Sequence, residues 1–480
     1  MKAFGRWACA AAALLISGAA AASYDDIPEI EVYGQHFFYT NNGSQFYLKG
    51  VAYQQNYQPN GTAGADTTYT DPLADSNACK RDIPLMQQIF TNVIRVYAID
   101  PTKNHDDCMS QLASAGIYVI ADLGEPSTSI ISDDPEWDVT LYKRYTGVVD
   151  ALSKYKNVIG FFAGNENVSA NNQTAAAAFV KAAVRDTKAY IANQNYRKTL
   201  GVGYATADVP SRNELAHYFA CEPGNEGNKT SIDFWGYNVY SWCGDSNYAT
   251  SSYGERVDFF SDYPVPVFFA EYGCIKGLSD PTSRPFTEVE VLYGNMTNVF
   301  SGGIVYEWFM GTNDYGLVSL VNSATASPYP DFTSLQSQLA KVSPTITQRS
   351  AYTPANSAPA CPSVGGSWAA QASPLPPQST RSSANAWSRA CNATSSPPTR
   401  TRTRTRSTTS APPTASTATA SRATPRPANS AATRAAIPKT SSLSLPTSII
   451  WARTRRAAHV ALAARRRCRV RRRRAVAWRC

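Results

Sequence analysis

Two apolar runs in this chain end abruptly in a glutamate. Residues 157–166 read Asn-Val-Ile-Gly-Phe-Phe-Ala-Gly-Asn-Glu, and residues 264–273 read Pro-Val-Pro-Val-Phe-Phe-Ala-Glu-Tyr-Gly. Each run has the length and character of a buried strand that delivers a carboxylate, Glu166 or Glu271, to a rim. Carboxyls at the C-terminal ends of two parallel strands can face one another across a barrel mouth, one held protonated and the other ionised. That pairing is the equipment of glycosidic chemistry. At a separation of ~5 to 5.5 Å the ionised member attacks the sugar and configuration is retained, whereas a wider gap admits water and inverts it. Asn165, beside Glu166, is placed to hydrogen-bond a sugar 2-hydroxyl, a contact that strengthens in an oxocarbenium-like transition state. The plain alternative is a pair of strand-end glutamates capping turns. The shared run-then-Glu context weighs against it.

Such residues need a scaffold. Apolar, β-branched runs recur at 46–52, 92–98, 116–123, 157–163, 199–204, 232–240, 264–271 and 303–308. Segments with apolar residues at helical spacing lie between them, at 78–90, 107–115, 139–153, 175–192 and 285–300. Strands alternating with helices call for a parallel sheet, and eight repeats call for its closure, so the expected fold is α/β, a (β/α)8 TIM barrel. Glu166 then follows the fourth strand and Glu271 the seventh. A doubly wound open sheet would show a glycine-rich phosphate turn after the first strand, and Lys49-Gly50-Val51 is not one. Strand-like runs at 30–39 and 46–53, separated by Asn41-Asn42-Gly43-Ser44, predict an N-terminal hairpin that plugs the barrel bottom. Strand tips also carry Arg95, Tyr97, Asp122, Tyr240 and Tyr306, with Gln54 after the first strand and Tyr315 beyond the last. Sugar rings stack on aromatic faces, although most of the 27 Tyr, 18 Phe and 9 Trp are expected to serve packing.

Composition divides the 480 residues sharply. The final stretch, 351–480, holds 22 of the 45 Lys and Arg and no acidic residue, so 1–350 hold 23 basic against 36 acidic side chains, a net charge of −13. The overall +9 is an average of two unlike regions. Residues 1–22 read as a secretory signal peptide, with Lys2 and Arg6, an apolar run over 7–16 and an Ala20-x-Ala22 cleavage pattern. Secretion permits disulfides, and Cys79, Cys108, Cys221, Cys243, Cys274 and Cys361 form an even set whose spacing leaves the pairing open. Only four His are present, which argues against a Cys/His metal cluster. Sequons at Asn42, Asn60, Asn167, Asn172, Asn228 and Asn295 fit a surface glycoprotein. Periodicity stops past 345. Residues 346–377 read as a linker, and 378–480 as a basic low-complexity tail that cannot bury a core: a disordered arm, an acidic-polymer binder or, the reading preferred here, the product of a shifted reading frame.

Residues 35–54, 94–100, 163–167 (Ala-Gly-Asn-Glu-Asn), 238–243 (Asn-Val-Tyr-Ser-Trp-Cys), 270–274 (Ala-Glu-Tyr-Gly-Cys) and 302–307 (Gly-Gly-Ile-Val-Tyr-Glu) resemble the fungal β-1,3-glucanosyltransferases of glycoside hydrolase family seventy-two, the Gas/Gel/Phr group. The likeness covers about residues 28–345 and involves several ordered motifs and the cysteines. It implies a catalytic barrel over 23–345 that cleaves an internal β-1,3-glucan bond and passes the new reducing end to a second glucan chain. By this resemblance Glu166 is the acid/base and Glu271 the nucleophile, while Gln54, Tyr97, Asp122, Asn165, Tyr240, Tyr306 and Tyr315 line sugar subsites. It also implies the pairs Cys79–Cys108, Cys243–Cys274 and Cys221–Cys361, the last tying the 346–377 linker to the barrel. Cys361-Pro362, Trp368 and Leu375-Pro376-Pro377 resemble the start of a Cys-rich glucan-binding module. The resemblance also implies a GPI-anchored place at the plasma membrane, whereas beyond 378 only Cys391, Cys468 and Cys480 remain and the apolar tail of an anchor signal is missing, two departures that a shifted reading frame would produce.

The expectation is therefore a secreted, retaining cell-wall transglycosylase at the cell surface, with β-1,3-glucan as donor and acceptor, no cofactor, no metal, no nucleic-acid partner and a monomeric state. A secreted retaining β-glucanase and a non-catalytic wall glucan-binding protein are the alternatives, separated from it by whether products outgrow the donor and whether turnover occurs at all.

Overall fold

A computed structural model of the chain describes residues 24–55, 69–224 and 227–377. The expected signal peptide, the Asn60 sequon and the basic tail lie outside the described residues.

The chain opens with three short antiparallel strands, β1 (Ile30–Tyr33), β2 (His36–Tyr39) and β3 (Gln45–Phe46). Eight parallel strands then close into a barrel: β4 (Leu48–Ala52), β5 (Val93–Val96), β6 (Tyr118–Asp122), β7 (Val158–Asn165), β8 (Gly201–Ala207), β9 (Trp235–Asn238), β10 (Val267–Tyr272) and β11 (Phe300–Val305). The ring shuts where Gly302 pairs with Leu48 and Val305 with Val51. Helices α1 (Ser76–Gln88), α2 (Asp106–Ser114), α3 (Val139–Leu152), α4 (Ala176–Asn193), α5 (Arg212–Ala220), α6 (Tyr253–Phe260) and α7 (Glu288–Leu292) follow the first seven strands in turn. A hairpin, β12 (Val318–Asn322) and β13 (Thr325–Pro328), and a last helix, α8 (Pro330–Lys341), come after the eighth. This is the expected (β/α)8 barrel. Strands covered by helices outside and packed side chains inside are buried on both faces, which is why they read as continuous Val, Ile and Phe runs.

Phe37 of β2 lies 6.1 Å from Phe234 and 6.0 Å from Phe268, ring centre to ring centre, inside the N-terminal end of the barrel. The small sheet therefore closes the end opposite Glu271. The run at 46–52, expected as one strand, is divided: Phe46 pairs with Phe37 in the small sheet, and only Leu48–Ala52 joins the barrel. Along β8 a Cβ on Gly203 would sit 2.3 Å from the Phe234 ring, so a bare backbone is needed for that ring to fill the interior.

The expected helix over 285–300 shrinks to Glu288–Leu292, and β11 starts at Phe300, earlier than the expected 303. Within β11 Gly302 has φ +92°, and a Cβ there would meet the Leu48 carbonyl at an overlapping distance. Only glycine lets the chain turn into the barrel there.

Among the described residues three disulfides join Cys79 to Cys108, Cys221 to Cys361 and Cys243 to Cys274. The stretch expected as a linker lies along the barrel. Tyr352 packs on His36 and Phe38, Trp368 packs on Tyr218, and Arg185 donates to the Pro376 carbonyl at 2.9 Å.

Candidate active site

At the C-terminal end of β7 Asn165 pairs in register with Ala205, and Glu166 donates its own N–H to the Ala205 carbonyl at 2.9 Å. Glu166 has φ +51°, a left-handed conformation that costs a residue with a Cβ of order 1–2 kcal/mol. That turn takes its side chain out of the strand alternation. Asn167, a sequon residue, points back and is buried, its Nδ2 donating to the Ile130 carbonyl at 2.7 Å. Three strands further round the ring, Glu271 lies within β10 beside Asn238 of β9.

Asn238 joins the two carboxylates' surroundings. Its Nδ2 donates to Glu166 Oε1 at 2.8 Å and to Asn165 Oδ1 at 3.1 Å. Glu271 collects more donors. The Tyr97 hydroxyl donates to Oε1 at 2.9 Å, the Tyr240 hydroxyl donates to Oε2 at 2.8 Å, and Arg95 Nη1 stands 3.4 Å from Oε1. Tyr306 and Tyr315 complete an aromatic wall, with ring centres 6.3 and 5.5 Å from that of Tyr240. Asn313 donates from Nδ2 to Glu307 Oε1 at 2.7 Å and to the Tyr306 hydroxyl oxygen at 3.1 Å.

Burial raises the proton affinity of both carboxyls. It pushes Glu271 up to about 7, opposed by Arg95, reinforced by the Glu166 charge and opposed again by the Tyr240 and Tyr97 hydroxyls. Burial also raises Glu166, against the Asn238 amide and Arg95. Two buried carboxyls that sense each other titrate as a pair and resist ionising together. Glu271 thus has three donors, one of them a cation, and Glu166 has the single amide of Asn238.

The structure thus gathers Tyr97, Asn165, Tyr240, Tyr306 and Tyr315 around the two glutamates. Gln54 and Asp122 sit one step back. Gln54 Oε1 accepts the N–H groups of Tyr97 and Ala98 at 3.0 and 2.9 Å, and its Nε2 donates to the Thr70 carbonyl. Both Asp122 oxygens are taken by Arg95. Sequence reasoning gave no role to Arg95, Asn238 or Glu307. Glu307 was within reach, because 302–307 is a third apolar run ending in Glu, and burial pushes its carboxyl up to about 7. Among the described residues no group of three or more His, Cys, Asp or Glu could hold a metal ion.

A (β/α)8 barrel with two carboxyls at the C-terminal ends of its fourth and seventh strands is the architecture of barrel enzymes that work on glycosidic bonds. The glucanosyltransferase model of glycoside hydrolase family 72 matches residues 19–343, and the chain belongs to that family. It is 55% identical over 346 residues to a 1,3-beta-glucanosyltransferase of Arthroderma benhamiae, covering 72% of this chain and 62% of the relative. It is 45% identical over 336 residues to the 1,3-beta-glucanosyltransferase GAS2 of Saccharomyces cerevisiae, covering 69% of this chain and 59% of the relative. It therefore spans less than two thirds of the length of either relative. Among solved structures, a glutamate-to-glutamine mutant of Saccharomyces cerevisiae Gas2p in complex with laminaritetraose and laminaripentaose superimposes with a TM-score of 0.67 at 42% identity, covering 75% of this chain and 77% of that one.

Proposed function

We propose that this chain is a retaining β-1,3-glucanosyltransferase. The observation that carries the reading is the unequal donor set of the two carboxyls. Glu271, held by Arg95, Tyr97 and Tyr240, is the ionised nucleophile, and Glu166, with the single amide of Asn238, is the proton carrier. Glu271 attacks the anomeric carbon as the glycosidic C–O bond breaks, and the Glu166 proton passes to the departing oxygen. The glycosyl-enzyme ester is then opened by a hydroxyl of a second glucan chain, whose proton returns to Glu166. Asn165 faces the sugar hydroxyls beside the reacting centre, and Tyr97, Tyr240, Tyr306 and Tyr315 supply stacking faces. Gln54 supports them by fixing the backbone at Tyr97. Relatives named glucanosyltransferases and a neighbour holding laminari-oligosaccharides support β-1,3-glucan as both donor and acceptor. The chain's place of work in this reading is the cell surface, and among the described residues no helix is long and apolar enough to cross a membrane.

Incubation with reduced laminari-oligosaccharides tests this. Products longer than the donor are expected, and only shorter ones would make the protein a hydrolase. Glu271→Gln and Glu166→Gln are expected to lower turnover by a factor of at least about 1,000 while still binding laminari-oligosaccharides. Near-normal turnover in either variant removes the mechanism.

A further inference from the structure

We propose that Asp122 and Arg95 form a positioning pair for Glu271, with Asp122 acting through Arg95 and not on the sugar. The proposal rests on the reading of Glu271 as the nucleophile and goes beyond it, since the resemblance places Asp122 among the sugar contacts.

Arg95 projects from β5 into the barrel and is wholly buried. Its Nε and Nη2 meet the two Asp122 oxygens at 3.0 and 2.9 Å, a fork-to-fork pairing that fixes the plane of the guanidinium. That plane is also held between aromatic rings, 4.4 Å from the Tyr97 centre and 4.6 Å from that of Phe162. The nitrogen left over, Nη1, is thereby aimed at Glu271 Oε1 at 3.4 Å and at the Ala270 carbonyl at 3.3 Å. Burial alone would lower the Arg95 pKa, but Asp122, Tyr97 and Glu271 raise it, so the group stays a cation. An Asp122 with both oxygens spent on Arg95 has its geometry set by that pair. The titratable groups facing Glu271 are Arg95 and Tyr97 from the β5 end, Asp122 of β6 through Arg95, Glu166 after β7, Tyr240 after β9 and Tyr306 and Tyr315 beyond β11. Arg95 is the cation that pairs with Glu271.

The pair makes the two substitutions move the pH profile in opposite directions. Asp122→Asn removes the charge that neutralises Arg95 while keeping one acceptor for it. The acid limb of kcat/KM is expected to move down by about half a unit to one unit, with KM within about twofold and kcat down about tenfold. Arg95→Met is expected to move the limb up by about one unit or more and lower kcat about 100-fold, and Arg95→Lys to restore the limb. A rise in KM for Asp122→Asn with an unmoved limb would show that Asp122 touches sugar, and an unmoved limb in Arg95→Met would equally overturn the proposal. Should Arg95→Met fail to fold because Asp122 is left unpaired, Asp122→Asn decides alone. Carbon-13 titration of the Glu271 carboxyl, assigned by its loss in Glu271→Gln, reads the same shift without substrate. A wild type that leaves laminari-oligosaccharides untouched would therefore count against the proposed function while the pair is still tested.

Discussion

Asn238 occupies the barrel register beside Glu271, yet its Nδ2 donates to Glu166 at 2.8 Å. One amide thus ties the position of Glu166 to the strand next to Glu271. A bond donated to a carboxyl favours its ionised form, so Asn238 holds the Glu166 pKa below where burial alone would put it. In Asn238→Ala that restraint is gone and the proton is held more tightly. The alkaline limb of kcat/KM, which follows loss of the Glu166 proton, is expected to rise by about half a unit to one unit, and kcat to fall about tenfold as the carboxyl loses its orientation. A pH series on laminari-oligosaccharides checks this, and a limb displaced downward contradicts the assignment of Glu166 as the acid.

Glu288, at the start of α7, is buried at 4% exposure and its carboxyl is pushed up to about 7 by burial, against a backbone N–H bond and Arg284. Its folded pKa lies above its unfolded one, so the folded state binds the proton more tightly. The stability this gives is complete below about pH 4.5 and is lost as pH rises through about 7. Glu288→Gln keeps the shape and removes the titration. Between pH 5 and 8 the variant is expected to gain roughly 2 kcal/mol relative to wild type, as one pKa unit is ~1.4 kcal/mol. Urea unfolding at the two pH values measures it, and parallel behaviour of the two proteins would show that Glu288 does not titrate in this window.

The barrel was legible because its strands are buried on both faces and so announce themselves as Val, Ile and Phe runs between helical segments. Glu166 and Glu271 were legible for the same reason: a carboxylate ending such a run breaks the pattern. The split of 46–52 was not legible, since Phe46 and Leu48 are equally apolar and only pairing partners distinguish them. Nor was the short α7, where apolar spacing continues past Leu292 through a run of turns to Phe300. Arg95 and Asn238 stand inside strands, where a polar residue shows its use only once the neighbouring strands are set beside it. The packing of 346–377 escaped for a related reason: a Pro- and Ser-rich stretch has no periodicity, and its anchors, Tyr352 and Trp368, are single side chains.

Behind the aromatic wall, Arg284 donates from Nε to Asp331 Oδ2 at 2.8 Å, from Nη1 to the Tyr306 carbonyl at 2.7 Å and from Nη2 to the Tyr315 carbonyl at 2.7 Å. Arg284 and Asp331 are both buried, at 1% and 0% exposure. Removing one member of a buried pair leaves the other charge without compensation and costs about 3–5 kcal/mol. Arg284→Met is expected to lose stability in that range, while Arg284→Met combined with Asp331→Asn recovers most of it because no buried charge is left alone. Activity should not recover with it. In both variants the Tyr306 carbonyl loses the Arg284 donor and the Tyr315 carbonyl keeps only the Glu307 N–H at 3.2 Å, so the rings they carry are less firmly held and KM for laminari-oligosaccharides is expected to rise about fivefold to tenfold. Denaturant unfolding and steady-state kinetics on the single and double variants separate the two effects. A double variant with wild-type KM would show that Arg284 serves the fold alone.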